Sequence, residues 1–259
     1  MALLEAREVT IRFGGLTAVA DFDFAIEPHE LVGLIGPNGA GKTTIFNMLT
    51  GVYQPSQGTI TFDGHPTAHR KPSQITALGV ARTFQNIRLF KELSVLDNVK
   101  IGRHIHYDYS GLAAILETRK FYRGEAEADR EALELLRIFG LDKRAHYEAS
   151  NLPYGDQRRL EIARALATRP KLLLLDEPAA GLNDRETVDL MQTIHDVRDR
   201  FGIAILLIEH NMELVMGICE RIVVLSFGKT IAQGTPEEVR SNPVVIEAYL
   251  GEPAESAEA

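Results

Sequence analysis

Gly36-Pro37-Asn38-Gly39-Ala40-Gly41-Lys42-Thr43 follows directly on the apolar run at residues 31–35 and satisfies the spacing G-x-x-x-x-G-K-[ST]. A strand that breaks into glycines and resumes as a helix turns backbone N–H groups, and the positive end of the helix dipole, toward one point in space. The glycines let that backbone curl inward around a triphosphate. The Lys42 ammonium can reach the β- and γ-phosphates, and the Thr43 hydroxyl can ligate Mg²⁺ at the start of the next helix. The plainer alternative, a glycine-rich turn between strand and helix, loses ground because of the residues around it.

Before this loop the chain reads as strands. Residues 9–13 and 22–26 alternate apolar and polar positions, and Gly14-Gly15 supplies a turn between them, which predicts a small antiparallel sheet. After the loop, residues 42–49 form a helix stopped by Gly51, and residues 58–62 a strand turned at Asp63-Gly64 that joins the first sheet. From about residue 86 to 167 the pattern becomes helical, with a capping-box-like start at Ser94-x-x-Asp97 and one helix over 119–139 before Gly140. This stretch is expected to form a separate helical lobe. Beyond it, buried strands at 171–175 and 203–208 alternate with helices at 184–200 and 211–219, which indicates a parallel sheet covered by helices. Residues 221–226 and 230–232 flank Phe227-Gly228-Lys229 as a hairpin, and Thr235-Pro236-Glu237-Glu238 caps a further helix. The tail 252–259 is small and acidic and is expected to be disordered. No repeat recurs at a fixed period.

Composition narrows the classes. With 259 residues and 45% hydrophobic content, the chain can bury a substantial core. Asp and Glu number 36 against 28 Lys and Arg, a formal charge of −8, which argues against nonspecific attraction to nucleic acid. No apolar run approaches the roughly 18 residues of a membrane span, so a membrane role would come through a partner. Glu5 and Arg7 interrupt the first apolar stretch, which therefore does not read as a secretory signal, and the chain is expected to stay where it is made. The single cysteine, Cys219, has apolar neighbours and reads as a buried reduced thiol.

Two carboxylates and an imidazole are placed by the same topology. Leu172 to Leu175 lead into Asp176 and Glu177, which in a parallel sheet emerge at the carboxyl edge where the phosphate loop also lies. There Asp176 can hold Mg²⁺ through water, and Glu177 can polarise an attacking water. His210 follows the next buried strand and should arrive at the same edge, able to bond a γ-phosphate or orient water. Gln85 ends a candidate strand at 80–84 and can offer a neutral amide to metal or water. Singly, such residues are ordinary surface groups.

In this order, with a helical lobe between them, these positions resemble the ATPase domain of ABC proteins over residues 3–251. The fold this implies is α/β: a P-loop NTPase with a RecA-like parallel sheet, an antiparallel β subdomain and an inserted helical lobe, all in one domain over residues 1–251. ATP and Mg²⁺ are the implied ligands. The resemblance gives nucleotide binding to Gly36, Asn38, Gly39, Gly41, Lys42, Thr43 and Thr44, metal binding to Thr43, Gln85 and Asp176, and hydrolysis to Glu177, Gln85 and His210. An aromatic residue near the first strands stacks on adenine in this family. Phe13 is the matching position, where a ring would equally suit a strand core.

The family's Leu-Ser-Gly-Gly-Gln signature corresponds here to Leu152-Pro153-Tyr154-Gly155-Asp156, so three of the five positions differ. In ABC dimers this segment closes over ATP held by the opposite subunit. Pro153 offers neither hydroxyl nor N–H, and one lost charge-assisted hydrogen bond costs about 1.5 to 3 kcal/mol. Asp156 adds negative charge near a triphosphate. Both changes imply a weakened site where this chain supplies the signature, and an intact one where it supplies Lys42, Asp176 and Glu177. Residues 179–184 look like the dimer-contact loop, with Asn183 where aspartate is commoner.

One ATPase domain without a spanning segment resembles a subunit that drives separate permeases. The Tyr154 signature, the run 176–183, Ile208-Glu209-His210-Asn211-Met212 and the ending at 246–252 are similar to bacterial high-affinity branched-chain amino-acid importers. The implied partners are two membrane permeases, a second ATPase subunit that is a copy or a different chain, and, indirectly, a periplasmic binding protein. The implied location is the cytoplasmic face of the inner membrane. An exporter ATPase of lipopolysaccharide type, a soluble ABC ATPase acting on ribosomes or DNA, and a regulatory subunit that barely turns over stay open. Within residues 104–124, Tyr107, Tyr109, Leu112, Ile115, Leu116, Phe121 and Tyr122 suit packing inside the lobe or a membrane-side contact. His104 and His106 form no metal set and are assigned to solvent.

Overall fold

Two sheets organise the chain, and the computed structural model describes them over residues 2–106 and 118–250. The tail at 252–259, and Tyr107, Tyr109, Leu112, Ile115 and Leu116, lie outside the described residues. The first half contains β1 (Leu4–Phe13), β2 (Leu16–Ile26), β3 (Leu31–Ile35), α1 (Lys42–Leu49), β4 (Gln57–Phe62), β5 (His65–Pro66), α2 (Pro72–Leu78) and β6 (Val80–Arg82). Then come α3 (Val95–Arg103), α4 (Arg119–Ile138), α5 (Tyr154–Leu166), β7 (Leu172–Asp176), α6 (Asp184–Phe201) and β8 (Ala204–Ile208). The chain continues through α7 (Met212–Ile218), β9 (Arg221–Ser226), β10 (Lys229–Gly234), α8 (Pro236–Arg240) and α9 (Pro243–Leu250).

The antiparallel sheet has the order β2-β1-β4-β5, and the larger one β10-β9-β3-β8-β7-β6. In the larger sheet β9, β3, β8, β7 and β6 run parallel, and only β10 turns back. Every residue of β3, β7 and β8 is buried, as continuous apolar runs demand when both faces are covered. Alternation decides which side each residue serves. Leu31, Ile35, Leu173, Leu175, Ile205 and Leu207 pack with the helices α3 to α7. Val32, Leu34, Leu172, Leu174, Leu206 and Ile208 pack with α1 and the antiparallel sheet.

Local signals set the helix ends. Asn183 caps α6 and Glu186 reciprocates from N3, while Gly202 ends that helix at φ 61°. Thr235 and Glu238 close the capping box expected at α8. Two expectations need correction, and one helix lies where the sequence reading makes no assignment. β6 stops at Arg82, so Gln85 lies on the loop beyond the strand rather than at its end. Residues 72–78, which carry no strong period, form α2 behind Pro72. His106 is not left to solvent alone, because its Nε2 lies 2.8 Å from Thr168 O.

Cys219 is buried, and its Sγ packs so close to Gly33 that a Cβ there would sit 3.0 Å away. Burial, with Glu220 adding to it, pushes the thiol up to about 12. Native protein is therefore expected to leave Cys219 unlabelled by a thiol reagent at pH 8, with full labelling on unfolding. Rapid labelling of the native protein would contradict this packing.

Candidate active site

The parallel register brings three strand ends level. Leu34 of β3 pairs with Ile208 of β8, and Ile208 pairs with Asp176 of β7. Gly36, Glu177 and His210 leave the sheet from that one edge, as sheet topology requires of a binding crevice. Gly36 turns there with φ 150°, and a Cβ would stand 2.1 Å from Leu225 O, so only glycine passes. The Lys42 ammonium donates to Gly36 O at 2.6 Å and to Pro37 O at 3.0 Å, and the loop is wrapped around it. A cleft of about 400 Å³ opens over the loop, lined by Asn38, Gly39, Gly41, Lys42, Thr43 and Thr44, with Glu177, Leu16 and Phe227 on its walls.

Glu177 is the meeting point of the polar groups. It adopts φ 45°, an uncommon backbone for a non-glycine residue, and donates its N–H to Ile208 O at 2.9 Å. Gln85 Nε2 donates to Glu177 Oε2 at 2.6 Å, and His210 Nδ1 lies 3.7 Å from the same oxygen. Glu209, buried at 1% exposure, fixes this corner from below. Its carboxylate accepts from the N–H groups of His210 and Asn211 at 3.0 and 3.2 Å, and from Ala179 at 2.7 Å. One side chain thus ties the histidine to the loop that follows Glu177.

Asp176 is buried, and Arg82 donates to its Oδ2 at 2.7 Å. The oxygen donors that the sequence reading singles out, the Asp176 carboxylate, the Thr43 hydroxyl and the Gln85 amide oxygen, are of the kind that suits a hard cation. Among the described residues no group of three or more His, Cys, Asp or Glu side chains is arranged to hold a metal. A cation here would complete its shell with phosphate oxygens and water, which is how Mg²⁺ binds alongside one or two protein ligands.

Phe13 does not line the phosphate cleft. It pairs with Leu16 across the β1–β2 turn, 44% exposed, with its ring meeting Tyr53 edge-on at 5.2 Å. Phe227, at the β9–β10 turn, reaches the cleft wall at 95% exposure and φ 46°. That turn is anchored to the phosphate loop by Gly228 N–H donating to Ala40 O at 2.9 Å.

Pro153, Gly155 and Asp156 line a different cleft, with Leu182, Asn183 and Glu186. Pro153 forms the N-cap of α5, so the free N–H groups of that helix start open beside it. The Asp156 carboxylate, expected to repel a triphosphate, is neutralised by Arg144 and by Arg159 at 3.7 Å. Arg158, with no exposure, holds α5 to the Gln85 loop: its guanidinium donates to Phe84 O at 2.7 Å and Gln85 O at 2.8 Å. It also pairs with Glu161 at 3.0 Å. Burial pushes the Glu161 carboxyl above the usual carboxylate range, opposed by the Arg88 N–H and by Arg158. Spacing gave no sign of Arg82, Arg158, Glu209 or Phe227.

Comparison with known proteins agrees with this geometry. Residues 19–180 match the family model described as ABC transporter, and residues 229–255 match one described as branched-chain amino acid ATP-binding cassette transporter. The chain is 50% identical over 251 residues to the high-affinity branched-chain amino acid transport ATP-binding protein LivG of Escherichia coli K12, covering 96% of this chain and 98% of that one. The lipopolysaccharide export system ATP-binding protein LptB of Haemophilus influenzae is further away, at 35% over 252 residues, covering 97% and 98%. A crystal structure of the ADP conformation of MJ1267, an ATP-binding cassette of an ABC transporter, superposes with a TM-score of 0.84 at 29% identity, covering 97% and 100% of the two chains. A phosphate loop, a strand-end carboxylate pair and a histidine on one sheet edge, with these matches along almost the whole chain, lead to one family. The chain belongs to the ABC transporter family, as one of its ATP-binding proteins.

Proposed function

We propose that this chain hydrolyses ATP with Mg²⁺ at an interface between two ATPase subunits, and thereby powers uptake of branched-chain or related amino acids through separate membrane permeases. The convergence of Gln85 and His210 on Glu177 Oε2, at the wall of the phosphate cleft, is the observation that carries the hydrolytic half. Glu177 takes the proton of the attacking water, and Gln85 and His210 hold that carboxylate and the water in line. Lys42 and the loop N–H groups bind the phosphates. Thr43, Asp176 and Gln85 would hold Mg²⁺, which would supply neutralisation of the charge developing on the phosphate oxygens.

Residues 1–251 act as one ATPase domain, with the lobe at about 86–167 transmitting closure. The signature segment 152–156 meets the ATP of a partner ATPase, either a copy or a different chain. The Arg144 and Arg159 pairs favour this by removing the net charge of Asp156. Among the described residues no helix is long and apolar enough to cross a membrane, which fits a peripheral subunit at the cytoplasmic face that relies on permeases. A periplasmic binding protein would deliver the amino acid from the other side. The similarity to LivG, and the match of residues 229–255, support the amino-acid class.

Affinity purification from gently solubilised membranes, followed by mass spectrometry, tests the assembly. Two polytopic permeases and an ATPase partner are the expected companions. Lipopolysaccharide-export permeases, or ribosomal and DNA-repair proteins without any permease, would overturn the importer.

Adenine is assigned to the half-exposed ring of Phe13, outside the phosphate cleft, with Phe227 on the wall of that cleft. Phe13→Ala is expected to weaken ATP binding by about 1 to 3 kcal/mol, the usual worth of a base stacked on a ring. The loss in Phe227→Ala should be smaller. Equilibrium titration with a fluorescent ATP analogue checks both, and unchanged binding in Phe13→Ala would remove it from the site.

A further inference from the structure

Thr43 and Asp176 sit on different elements, α1 and β7, and a single buried side chain joins the two. Arg82, at the end of β6, donates from Nη2 to Asp176 Oδ2 and from Nη1 to Asn47 Oδ1, both at 2.7 Å. Asn47 lies on α1 about one turn beyond Thr43. The rings of Phe46 and Phe84 flank the guanidinium, with centroids 5.4 and 5.1 Å from Cζ. The side chains of Arg82 and Asp176 are only 8% and 7% exposed. The remaining nitrogen, Nε, is buried without a hydrogen-bond partner, so among the described residues Asn47 and Asp176 are the acceptors that set the direction of the fork, between the two rings.

A buried ion pair adds little net stability, because desolvation offsets most of its attraction. What an arginine fork supplies is fixed direction, two donors in one plane, which a lysine cannot reproduce. With Oδ2 occupied, the carboxylate cannot rotate freely, and Oδ1 is the oxygen left for a cation or its water. The same plane fixes how far Asp176 stands from the helix that carries Thr43.

We propose that Arg82 is a positioning residue for the metal-binding carboxylate: it holds Asp176 by Oδ2, aims Oδ1 at the cation, and sets the spacing between Asp176 and Thr43. This rests on the proposal that Mg²⁺ is held by those two residues. Partners of this kind, which orient a metal ligand without touching the metal, control affinity through geometry. The opposite role, a cation competing with Mg²⁺ for the same carboxylate, predicts the opposite sign on removal.

The test uses the full chain and a fluorescent ATP analogue, titrated in EDTA and at stepped free Mg²⁺. Paramagnetic resonance of bound Mn²⁺ serves as a second readout independent of turnover. In Arg82→Gln the free Mg²⁺ needed for half-maximal effect should rise about 10- to 100-fold, while binding in EDTA stays within about twofold of wild type. Arg82→Lys should fall between, and Asn47→Ala, which spares the ion pair, should shift less. Should Arg82→Gln fail to fold, those two variants carry the test. Unchanged or tighter Mg²⁺ dependence in variants that fold would overturn the positioning role. A wild-type chain with no Mg²⁺ dependence, indistinguishable from Asp176→Asn, would overturn the metal assignment itself and this proposal with it.

Discussion

Glu177→Gln is expected to bind ATP like the wild type and to hydrolyse it about 10² to 10⁴ times more slowly, the usual contribution of a positioned general base. The substitution keeps shape and volume. A glutamine carbonyl can still accept from Gln85 Nε2, the bond now made at 2.6 Å to Oε2, so the corner keeps its geometry. What disappears is the carboxylate proposed to take the proton. On the proposed mechanism, in which hydrolysis reopens the pair of subunits, ATP should also trap Glu177→Gln as a dimer, visible by gel filtration. Single-turnover kinetics separates the chemical step from product release, and near-normal turnover would remove Glu177 from the base role.

The second large effect belongs to the phosphate loop. Lys42→Ala is expected to weaken nucleotide binding by about 1.5 to 3 kcal/mol, roughly 10- to 150-fold, the worth of a hydrogen bond to a charged group. Two causes add. The ammonium proposed to meet the phosphates is lost, and so are its bonds to Gly36 O and Pro37 O, which help hold the loop in its curl. Lys42→Arg is not a mild change either, since a planar fork does not fit the space of a compact ammonium. Calorimetric titration with ATP in EDTA isolates this term from that of the metal. Wild-type affinity in Lys42→Ala would show that the loop N–H groups suffice.

Legibility in the sequence followed the range of the interactions. The phosphate loop is contiguous and its chemistry is local, so Gly36 to Thr43 reads directly. The same holds for caps such as Asn183 with Glu186 and Thr235 with Glu238, whose partners lie within one turn. The strands were legible because burial on both faces writes unbroken apolar runs, as in Leu172 to Leu175. Asp176, Glu177 and His210 could be placed together only because parallel strands end on one edge.

What stayed hidden depends on pairs far apart in the chain. Arg82 meets Asp176 across 94 positions, and Arg158 meets Phe84 O across 74. Glu209 meets Ala179 across 30. Each is one charged residue in an ordinary context, and no periodicity marks it. The length of β6 misled for a related reason: Thr83 and Phe84 look like strand residues, and the Thr83 N–H still donates to Leu174 O at 2.9 Å, yet the paired register with β7 ends at Arg82. The charge on Asp156 reads as repulsive until Arg144 is seen beside it, 12 positions upstream.

The central claim, that ATP hydrolysis by this chain drives amino-acid uptake, is tested most directly in proteoliposomes. The vesicles would carry the purified complex oriented with the ATPase inside, loaded with ATP and Mg²⁺, and given the binding protein and radiolabelled leucine outside. The expected result is ATP-dependent accumulation of leucine against its gradient, abolished when this chain carries Glu177→Gln. A complex that hydrolyses ATP yet accumulates none of leucine, isoleucine or valine, or whose uptake is untouched by Glu177→Gln, would contradict it.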